Sequence, residues 1–345
     1  MSNKKKKLKL GVTLGDINGI GLEVIIKTFK DNRINEFCTP VIFGSNKLLS
    51  KYKKILEISD FNYNIANSIK DLNFKKVNLL NLWKEDIDIN IGCSNKEAGK
   101  YALNSIEAAA NALKNNEIDV LVTSPINKHS IKESEKKFIG HTEYFENTFD
   151  GNALMIMVSK SMKISFVTGH IPLSKVNTII SKEAIINTAK IFNTSLIQDF
   201  RIRKPKIAVL GLNPHAGENG MLGTEENEVI LPSIKKLKEE GLIIFGPYAS
   251  DSFFTKKNLK AFDGIISMYH DQGLIPFKAL SFEEGVNYTA GLNIIRTSPV
   301  HGTAYEIAGK NKANEDSFRE AVFLACDIYH KRKEFKQLNE NSLDN

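Results

Sequence analysis

Three short apolar segments of this chain each end at a histidine, and this pattern is the strongest constraint on its fold. The segments are 163–170, 206–215 and 262–270, which end at His170, His215 and His270. An apolar, β-branched run that ends in a polar residue is typical of a buried strand followed by a loop. In open α/β sheets, ligands bind beyond the carboxyl ends of the strands. The pattern therefore predicts an α/β fold with three imidazoles on one edge of a sheet, suited either to loop hydrogen bonds or to one divalent metal site.

The order of the predicted elements supports this fold class. Strands alternate with helices along most of the chain, as in α/β proteins. Two adjacent apolar runs within 153–169 predict an antiparallel hairpin, so we expect a mixed sheet. At 345 residues the chain is long for one core, which favours two lobes. Further strands are predicted at 8–15, 40–45 and 119–125, and helices at about 20–30, 96–116, 181–195, 225–240 and 315–334. Residues 46–95 have weak periodicity and predict no defined element.

The helix predicted at 96–116 has the clearest apolar face. That face consists of Ala98, Ala102, Ile106, Ala109, Ala110 and Leu113. Because most of these side chains are small, they predict close packing, either on a sheet or on another subunit.

The composition is that of a globular protein and argues against several function classes. Hydrophobic residues make up 42% of the chain, but no apolar run approaches the roughly 18 residues of a membrane span. The basic start, MSNKKKKLKL, lacks the apolar region of a secretory signal. Three widely separated cysteines, Cys38, Cys93 and Cys326, predict separate buried thiols and a cytoplasmic location. The net charge of +7 comes from dispersed lysines, so we expect anionic small molecules rather than nucleic acid or membrane as partners.

Further polar residues are candidates for binding an anionic substrate. His141 and Thr142 precede a short helical stretch, where Thr142 is equally suited to cap the helix or to contact a ligand. Lys278, Asn287 and Arg296 are nine residues apart, and they would converge only through the fold. Together they offer the donors that a phosphate or carboxylate needs, although each alone also fits an ordinary surface position.

A glycine-rich segment, GDINGIG (15–21), leads into the first predicted helix. Its spacing is GxxxGxG and not the GxGxxG of dinucleotide-binding folds. The segment therefore predicts a tight turn at the edge of the sheet and is weak evidence for a Rossmann fold.

Six longer motifs occur in order within residues 8–325. They are GHTEYF, TGHIPL, LNPHAGENGMLGTEE, GPYASDSFF, MYHDQG and GVNYTAGLNIIRTSPVHGTA. Together they resemble the 4-hydroxythreonine-4-phosphate dehydrogenase (PdxA) family of pyridoxal phosphate biosynthesis. The segment 299–314 also looks like the adenine-side loop of the wider isocitrate/isopropylmalate dehydrogenase fold. The resemblance implies a two-lobed, three-layer α/β/α architecture, with a cofactor-side domain (1–127 and 285–345) and a metal, substrate and dimerisation domain (128–284).

The resemblance also implies a reaction and a site. The reaction is NAD(P)-dependent oxidation of 4-phosphohydroxy-L-threonine to 2-amino-3-oxo-4-phosphooxybutanoate, which decarboxylates to 3-amino-2-oxopropyl phosphate. The cofactors would be NAD or NADP and one divalent metal (zinc, cobalt or magnesium), at a site on the interface of a homodimer. The implied residues are His170, His215 and His270 for the metal, His141, Thr142, Lys278, Asn287 and Arg296 for the substrate, and His301, Gly302, Thr303 and Ala304 for the cofactor. Asp251 and Lys128 are the two candidates for proton transfer.

One motif departs from the family pattern. The family's first loop usually reads GDPAGIGPE, whereas Ile17, Asn18 and Leu22 stand here in place of Pro, Ala and Pro. We expect the loss of two prolines to loosen this turn. The alternative functions are oxidation of another four-carbon phosphate ester, such as a 4-phosphorylated threonate or erythronate, and non-catalytic binding of a metal or anion.

Overall fold

The computed structural model describes residues 7–135 and 138–340 of the chain. The chain divides into two compact units, each built from two separate stretches. Unit 1 runs to Gly151 and includes Leu292–Tyr329, and unit 2 comprises Asn152–Gly291 and the chain from His330. The sequence prediction placed its boundaries at 127/128 and 284/285, and the functions that it assigned to the two parts stay predictions.

Strands and helices alternate along the described residues. The strands are β1 (Lys9–Thr13), β2 (Thr39–Gly44), β3 (Tyr63–Ala66), β4 (Val77–Asn81), β5 (Val120–Thr123), β6 (Gly151–Val158), β7 (Lys163–Phe166), β8 (Lys206–Leu210), β9 (Ile243–Tyr248), β10 (Gly264–Ser267), β11 (Val286–Leu292) and β12 (Arg296–Pro299). The α-helices are α1 (Gly21–Lys30), α2 (Ile34–Phe37), α3 (Asn46–Ile55), α4 (Lys96–Lys114), α5 (Lys128–Ser134), α6 (His141–Thr148), α7 (Val176–Ile179), α8 (Lys182–Gln198), α9 (Leu231–Glu239), α10 (Ser250–Phe253), α11 (Lys256–Ala261), α12 (His270–Ser281) and α13 (Asp316–Glu340). Among these residues, no helix combines the length and apolarity needed to cross a bilayer.

Unit 1 contains a parallel sheet with the strand order β3-β4-β2-β1-β5-β12. Every residue of β1, β2 and β5 is buried, as expected for parallel strands covered on both faces. Strand β1 lies between β2 and β5, so the strands that follow it in the chain are added first on one side of β1 and then on the other. The carboxyl ends of β1 and β5 therefore flank a topological switch point, where α/β sheets place ligand-binding loops.

Unit 2 contains a mixed sheet with the strand order β11-β6-β7-β10-β8-β9. Strands β6 and β7 form the predicted antiparallel hairpin. Strands β7, β10, β8 and β9 run parallel to one another. The predicted α/β class with a mixed sheet is thereby confirmed.

Helix α4 packs on a sheet, which resolves the alternative that the sequence left open. All six residues of its predicted apolar face are buried. They lie against β1, β2 and β5 of unit 1. A side chain at Gly99 would come within 2.1 Å of the Ser130 carbonyl oxygen, so glycine is needed where α4 meets α5.

The glycine-rich segment forms the predicted turn between β1 and α1. Gly15 has φ of +72°, and a Cβ there would lie 2.3 Å from the carbonyl oxygen of Pro125. Glycine is therefore required both for the left-handed backbone and for the close approach of the loop after β5.

Hydrogen bonds from other parts of unit 1 hold this turn. Asn18 is fully buried. Its Oδ1 accepts from the Asn90 amide at 3.0 Å, and its Nδ2 donates to the Cys93 carbonyl at 2.9 Å. The Tyr52 hydroxyl donates to the Ile17 carbonyl at 2.6 Å. These partners come from 46–95, where the sequence predicted no element and the structure has α3, β3 and β4.

A buried ion pair anchors the last turns of α13 in unit 2. Arg332 Nε donates to Asp199 Oδ1 at 2.6 Å, and its Nη2 donates to the Tyr288 hydroxyl at 2.8 Å. The hydroxyls of Tyr288 and Ser195 each donate to Asp199 Oδ2 at 2.7 Å. The fully buried carboxylate of Asp199 is thus saturated with donors, as a buried charge must be.

The prediction of three buried thiols is wrong for one cysteine. Cys38 and Cys326 are buried, whereas Cys93 is exposed. Cys93 lies on the loop between β4 and α4, outside any regular element, where the absence of sheet or helix packing leaves its side chain open.

Candidate functional site

The three strand-end histidines all lie in unit 2, on one edge of its sheet. His170 follows β7, His270 follows β10 and His215 follows β8. Strand β10 pairs in parallel with β7 on one side and with β8 on the other. Because neighbouring parallel strands end at the same edge of a sheet, the prediction that the three strand ends lie on one edge is confirmed.

Two of these imidazoles lie side by side. The ring centroids of His170 and His270 are 4.9 Å apart, and the His270 ring also stacks on Phe166 at 5.9 Å. His270 Nδ1 lies 2.6 Å from Asp271 Oδ1. A carboxylate on one ring nitrogen orients the imidazole and leaves the other nitrogen for a ligand. Both rings line a pocket whose apolar wall includes Leu173 and Val176.

His215 lies on a backbone turn of unusual conformation. Five consecutive residues, from His215 to Asn219, have positive φ values between 41° and 82°. Four of them are not glycine, and left-handed backbone costs such residues roughly 1–2 kcal/mol each. Strain of this kind persists only where the surroundings hold it, and it is concentrated at functional sites.

A buried carboxylate holds this left-handed turn. Glu226 is 2% exposed. Its Oε1 accepts from the amides of Leu212 and Asn213 at 2.7 and 2.8 Å, and its Oε2 accepts from Asn213 Nδ2 at 2.9 Å. A Cβ on Gly217 would lie 2.6 Å from Oε2. The Glu226 side chain therefore fills the space under the turn and holds the two residues that lead into it.

Gln272 connects the loops that follow three elements of unit 2. Its Nε2 donates to the Gly211 carbonyl at 2.6 Å and to the Ser250 hydroxyl at 2.7 Å. Its Oε1 accepts from the Met268 amide at 2.6 Å. One amide side chain thus joins the end of β8, the start of α10 and the end of β10.

The metal role of the three histidines stays a prediction. Within the part of the chain that the structure describes, no three His, Cys, Asp or Glu side chains lie close enough to hold an ion. One chain brings two of the three imidazoles together, and the third is on the neighbouring strand end. Imidazole donors fit a metal such as zinc or cobalt, and the interface position of the site stays a prediction.

A cationic cluster lies in unit 1, around the start of β12. Arg296 is 2% exposed. Its Nε and Nη2 donate to the hydroxyl of Thr123 at 2.9 and 2.6 Å, and its Cζ lies 6.0 Å from the centroid of the Phe145 ring. Burial lowers the pKa of this guanidinium, and Glu143 acts in the opposite direction. A buried cation of this kind is stabilised by an anionic ligand.

His141 is the second member of this cluster. Its Nε2 is buried and has no hydrogen-bond partner among the described residues. Burial, followed by the positive charges of Arg296 and Lys128, holds the pKa of His141 well below its ordinary value. Burial and these two positive charges therefore disfavour a proton on His141, so the imidazole is neutral at neutral pH.

The interpretation of Thr142 as a helix cap is wrong. Helix α6 begins at His141 with Gly140 at the N-cap position, so Thr142 is already the second residue of the helix. A Cβ at Gly140 would lie 2.6 Å from Glu143 Oε2 and 2.9 Å from Lys128 Nζ. The absence of a side chain at Gly140 is what lets the lysine reach the start of α6.

The remaining predicted substrate residues and Asp251 lie in unit 2. Lys278 is on α12, where its Nζ lies 5.7 Å from the centroid of the Phe282 ring. Asn287 is the second residue of β11, and its buried Oδ1 has no hydrogen-bond partner among the described residues. Asp251 is exposed on α10. The roles of these residues stay predictions.

The segment predicted to bind the cofactor forms an open loop after β12. Ala304 has φ of +43°, and the Thr303 carbonyl accepts from the Ile20 amide at 3.0 Å. A Cβ built on Gly302 would have no atom within 4 Å. There is thus room for a ligand above Gly302, next to His301, while the following residues are tied to the glycine-rich turn.

Sequence reasoning missed the residues that hold the site. Glu226 and Gln272 lie inside the motifs LNPHAGENGMLGTEE and MYHDQG, so their position in those motifs was a usable signal. Their roles come from hydrogen bonds across 14 and 61 residues of sequence, which no local pattern predicts.

Comparison with known proteins agrees with the motifs. The family described as "Pyridoxal phosphate biosynthetic protein PdxA" matches residues 36–325. A 4-hydroxythreonine-4-phosphate dehydrogenase of Bacteroides thetaiotaomicron is 47% identical over 99% of this chain and 94% of its own. A protein of Oceanobacillus iheyensis, provisionally named D-threonate 4-phosphate dehydrogenase, is 35% identical over 94% of this chain and 98% of its own. The crystal structure of 4-hydroxythreonine-4-phosphate dehydrogenase from Klebsiella pneumoniae superimposes with a TM-score of 0.79 at 30% identity. The match covers 95% of this chain and 99% of that structure's chain. The chain therefore belongs to the PdxA family.

Proposed function

We propose that this chain is a metal-dependent, NAD(P)-linked dehydrogenase acting on 4-phosphohydroxy-L-threonine. The product would be 2-amino-3-oxo-4-phosphooxybutanoate, which loses carbon dioxide to give 3-amino-2-oxopropyl phosphate. The observation that carries the proposal is the set of His170, His215 and His270 on one sheet edge. This set occurs in a chain 47% identical to a protein named for that activity.

The metal would be held by these three histidines. Three imidazoles favour zinc or cobalt over an oxygen-preferring ion, and the Asp271 carboxylate on His270 is the partner that metal-binding histidines usually have. When bound, the metal would supply Lewis-acid stabilisation of negative charge on the substrate oxygens.

The cationic cluster of unit 1 would bind the phosphate. Arg296 offers a fixed fork of donors, and a dianionic ester would offset the cost of burying its charge. The neutral His141 can donate one hydrogen bond to a phosphate oxygen without adding charge. Lys278 and Asn287 are the other proposed substrate contacts, and the buried Asn287 Oδ1, without a hydrogen-bond partner among the described residues, is an acceptor for an amino or hydroxyl group.

Oxidation of the secondary alcohol transfers a hydride to the nicotinamide and releases the hydroxyl proton. Lys128, beside the cationic cluster, and Asp251, exposed on α10, are the two candidates to accept that proton. Lys128→Met and Asp251→Asn would separate them, because only loss of the proton carrier removes the corresponding limb of the pH–rate profile. His301, Gly302, Thr303 and Ala304 would contact the dinucleotide.

A homodimer would complete the metal site. Large apolar side chains follow each of the three histidines and are exposed, namely Leu173 (73%), Met221 (83%) and Ile275 (65%). Exposed apolar residues close to polar ligands are typical of a surface that another subunit covers. Ile275→Asp would then lower the affinity for metal and the dimer fraction together, measured by metal analysis and light scattering.

The test of the proposed function is NADH formation from 4-phosphohydroxy-L-threonine, before and after chelation and with zinc, cobalt or magnesium restored. Metal-restored turnover that is absent in His215→Ala would support the reaction and the site together. A metal-loaded dimer without turnover would refute the substrate assignment.

The second candidate is oxidation of 4-phosphorylated threonate or erythronate. It has support because relatives 34–35% identical carry the provisional name D-threonate 4-phosphate dehydrogenase. It ranks second because the identity to 4-hydroxythreonine-4-phosphate dehydrogenases reaches 47%. The ratio of kcat/KM for the amino and hydroxy substrates discriminates the two.

A further inference from the structure

Tyr305 lies at the centre of a hydrogen-bond network in unit 1. Its hydroxyl donates to Asp16 Oδ2 at 2.7 Å, and its side chain lies beside those of Asn127 and Ser130. The residue comes directly after the predicted cofactor segment 301–304. One phenol therefore connects the loops that follow β12, β1 and β5.

Asp16 is built to hold this phenol. It is 1% exposed, and its Oδ1 accepts from the Asn18 amide at 2.9 Å. Its own amide donates to the Pro125 carbonyl at 2.8 Å. Burial raises the pKa of Asp16, and burial together with the Asp16 hydrogen bond raises the pKa of Tyr305 to about 12. The phenol therefore stays protonated and keeps donating at every pH at which an enzyme is assayed.

The other end of the network is the start of α5. Asn127 Oδ1 accepts from the amides of His129 and Ser130 at 2.9 and 3.1 Å and so caps the helix whose first residue is Lys128. The Ser130 hydroxyl lies 2.8 Å from that of Ser94. Because Tyr305 lies beside Asn127 and Ser130, it is next to residues on both sides of Lys128.

The cofactor segment is tied to the same frame. The Thr303 carbonyl accepts from the Ile20 amide at 3.0 Å, and a Cβ at Gly19 would lie 2.8 Å from that carbonyl oxygen. The segment thus rests on the turn that Asp16 begins. The next residue in the chain is Tyr305 itself, so the Asp16–Tyr305 pair lies directly beside the segment.

We propose that Tyr305, held by Asp16, is a positioning residue that sets the Lys128 amine and the 301–304 loop in one fixed arrangement. This inference rests on the proposed function, in which Lys128 is near the reacting group and the loop binds dinucleotide. Tyr305 touches neither substrate nor the reacting atoms in this proposal. It acts through the two loops that it joins.

The test compares Tyr305→Phe with Tyr52→Phe in the full-length chain. Both variants remove only a hydroxyl that bonds to the glycine-rich turn, since the Tyr52 hydroxyl donates to the Ile17 carbonyl. Only Tyr305 reaches the loop of Lys128. Tyr52→Phe is therefore the matched control for a merely structural effect.

The first readout is amide hydrogen exchange, which does not depend on activity. Losing the hydroxyl of Tyr305 should speed exchange about five- to tenfold in both 127–132 and 301–306. Tyr52→Phe should leave both segments unchanged. Unchanged exchange in Tyr305→Phe, or a change in only one of the two segments, would overturn the proposal.

The second readout is binding and turnover. Tyr305→Phe should weaken NADH binding about five- to tenfold and lower kcat, with the KM for the phosphorylated substrate within about twofold of wild type. Equal NADH affinity in Tyr305→Phe and wild type would contradict the inference. If the wild-type protein has no nicotinamide-linked activity while both segments still loosen in Tyr305→Phe, the proposed function fails and the positioning role stands.

Discussion

Glu226→Gln is the substitution that most directly tests how the site is held. The carboxylate accepts two backbone amides through Oε1 and the Asn213 side chain through Oε2. In the glutamine variant, the remaining oxygen can still accept the two amides, but as a neutral acceptor. The new amide nitrogen faces Asn213 Nδ2, so two donors meet where a donor met an acceptor.

The magnitude follows from these three hydrogen bonds. Bonds to a charged acceptor contribute about 1.5–3 kcal/mol each, and neutral ones about 0.5–1.5 kcal/mol. Two bonds weaken by about 1 kcal/mol each, and the third is lost. Glutamine also avoids part of the desolvation cost of a buried carboxylate, so we expect a net loss of about 2 kcal/mol in the free energy of unfolding.

The same change should weaken metal binding. When the hold on Leu212 and Asn213 weakens, the left-handed turn that follows them can relax, and His215 moves with it. Partners that orient metal ligands typically contribute about 10- to 100-fold in metal affinity, and we expect a loss in that range.

The assays are urea unfolding of the metal-free protein and titration with cobalt. Glu228→Gln is the control, because Glu228 is exposed on the same helical segment and should change stability by less than about 0.5 kcal/mol. A wild-type unfolding midpoint together with wild-type cobalt affinity in Glu226→Gln would refute the reasoning.

Three further predictions follow from buried charge and close packing. Arg332→Met leaves the Asp199 carboxylate buried without its cation and should cost about 3–5 kcal/mol in urea unfolding, whereas a loss below about 1 kcal/mol would contradict the assigned pair. Gly140→Ala places a methyl within 2.9 Å of Lys128 Nζ and should lower turnover roughly 100-fold with little change in Tm; unaltered turnover would argue against a role for Lys128. The pKa of His141 is lower in the folded protein than its ordinary value of 6.5, which holds in the unfolded chain. As the pH drops through about 6.5, the unfolded chain therefore binds more protons than the folded protein, and the free energy of unfolding falls. His141→Gln should therefore lose less Tm than wild type between about pH 7 and about pH 5, and an identical loss would contradict burial of a neutral imidazole.

Much of the fold could be predicted from local patterns. The apolar face of α4, the β6–β7 hairpin and the strands before His170, His215 and His270 follow from periodicity and turn spacing, which depend on neighbouring residues only. The stretch 46–95 was not predicted, because its strands β3 and β4 have only four and five residues. Strands β3 and β4 form because the parallel sheet of unit 1 supplies their hydrogen-bond partners.

The candidate site divides in the same way. The identity of its polar residues and their places at strand ends were available from motifs. The interpretation of Thr142 as a cap failed because the helix start depends on Gly140, whose missing side chain admits Lys128. Whether a helix begins one residue earlier or later is decided by such contacts and not by the capping preference of one residue.

By itself, the sequence determined the α/β class, the strand ends that carry the histidines and membership of the PdxA family. Each of these depends on patterns among neighbouring residues or on motifs that can be recognised in the sequence alone. Only the tertiary structure decided three features: the left-handed turn that begins at His215, its support by the Glu226 carboxylate, and the position of the Tyr305 phenol among three loops. Left-handed backbone at four non-glycine residues is unfavourable locally. The turn exists because the fold brings Glu226 close to it, and the hydrogen bonds of this carboxylate offset the backbone strain.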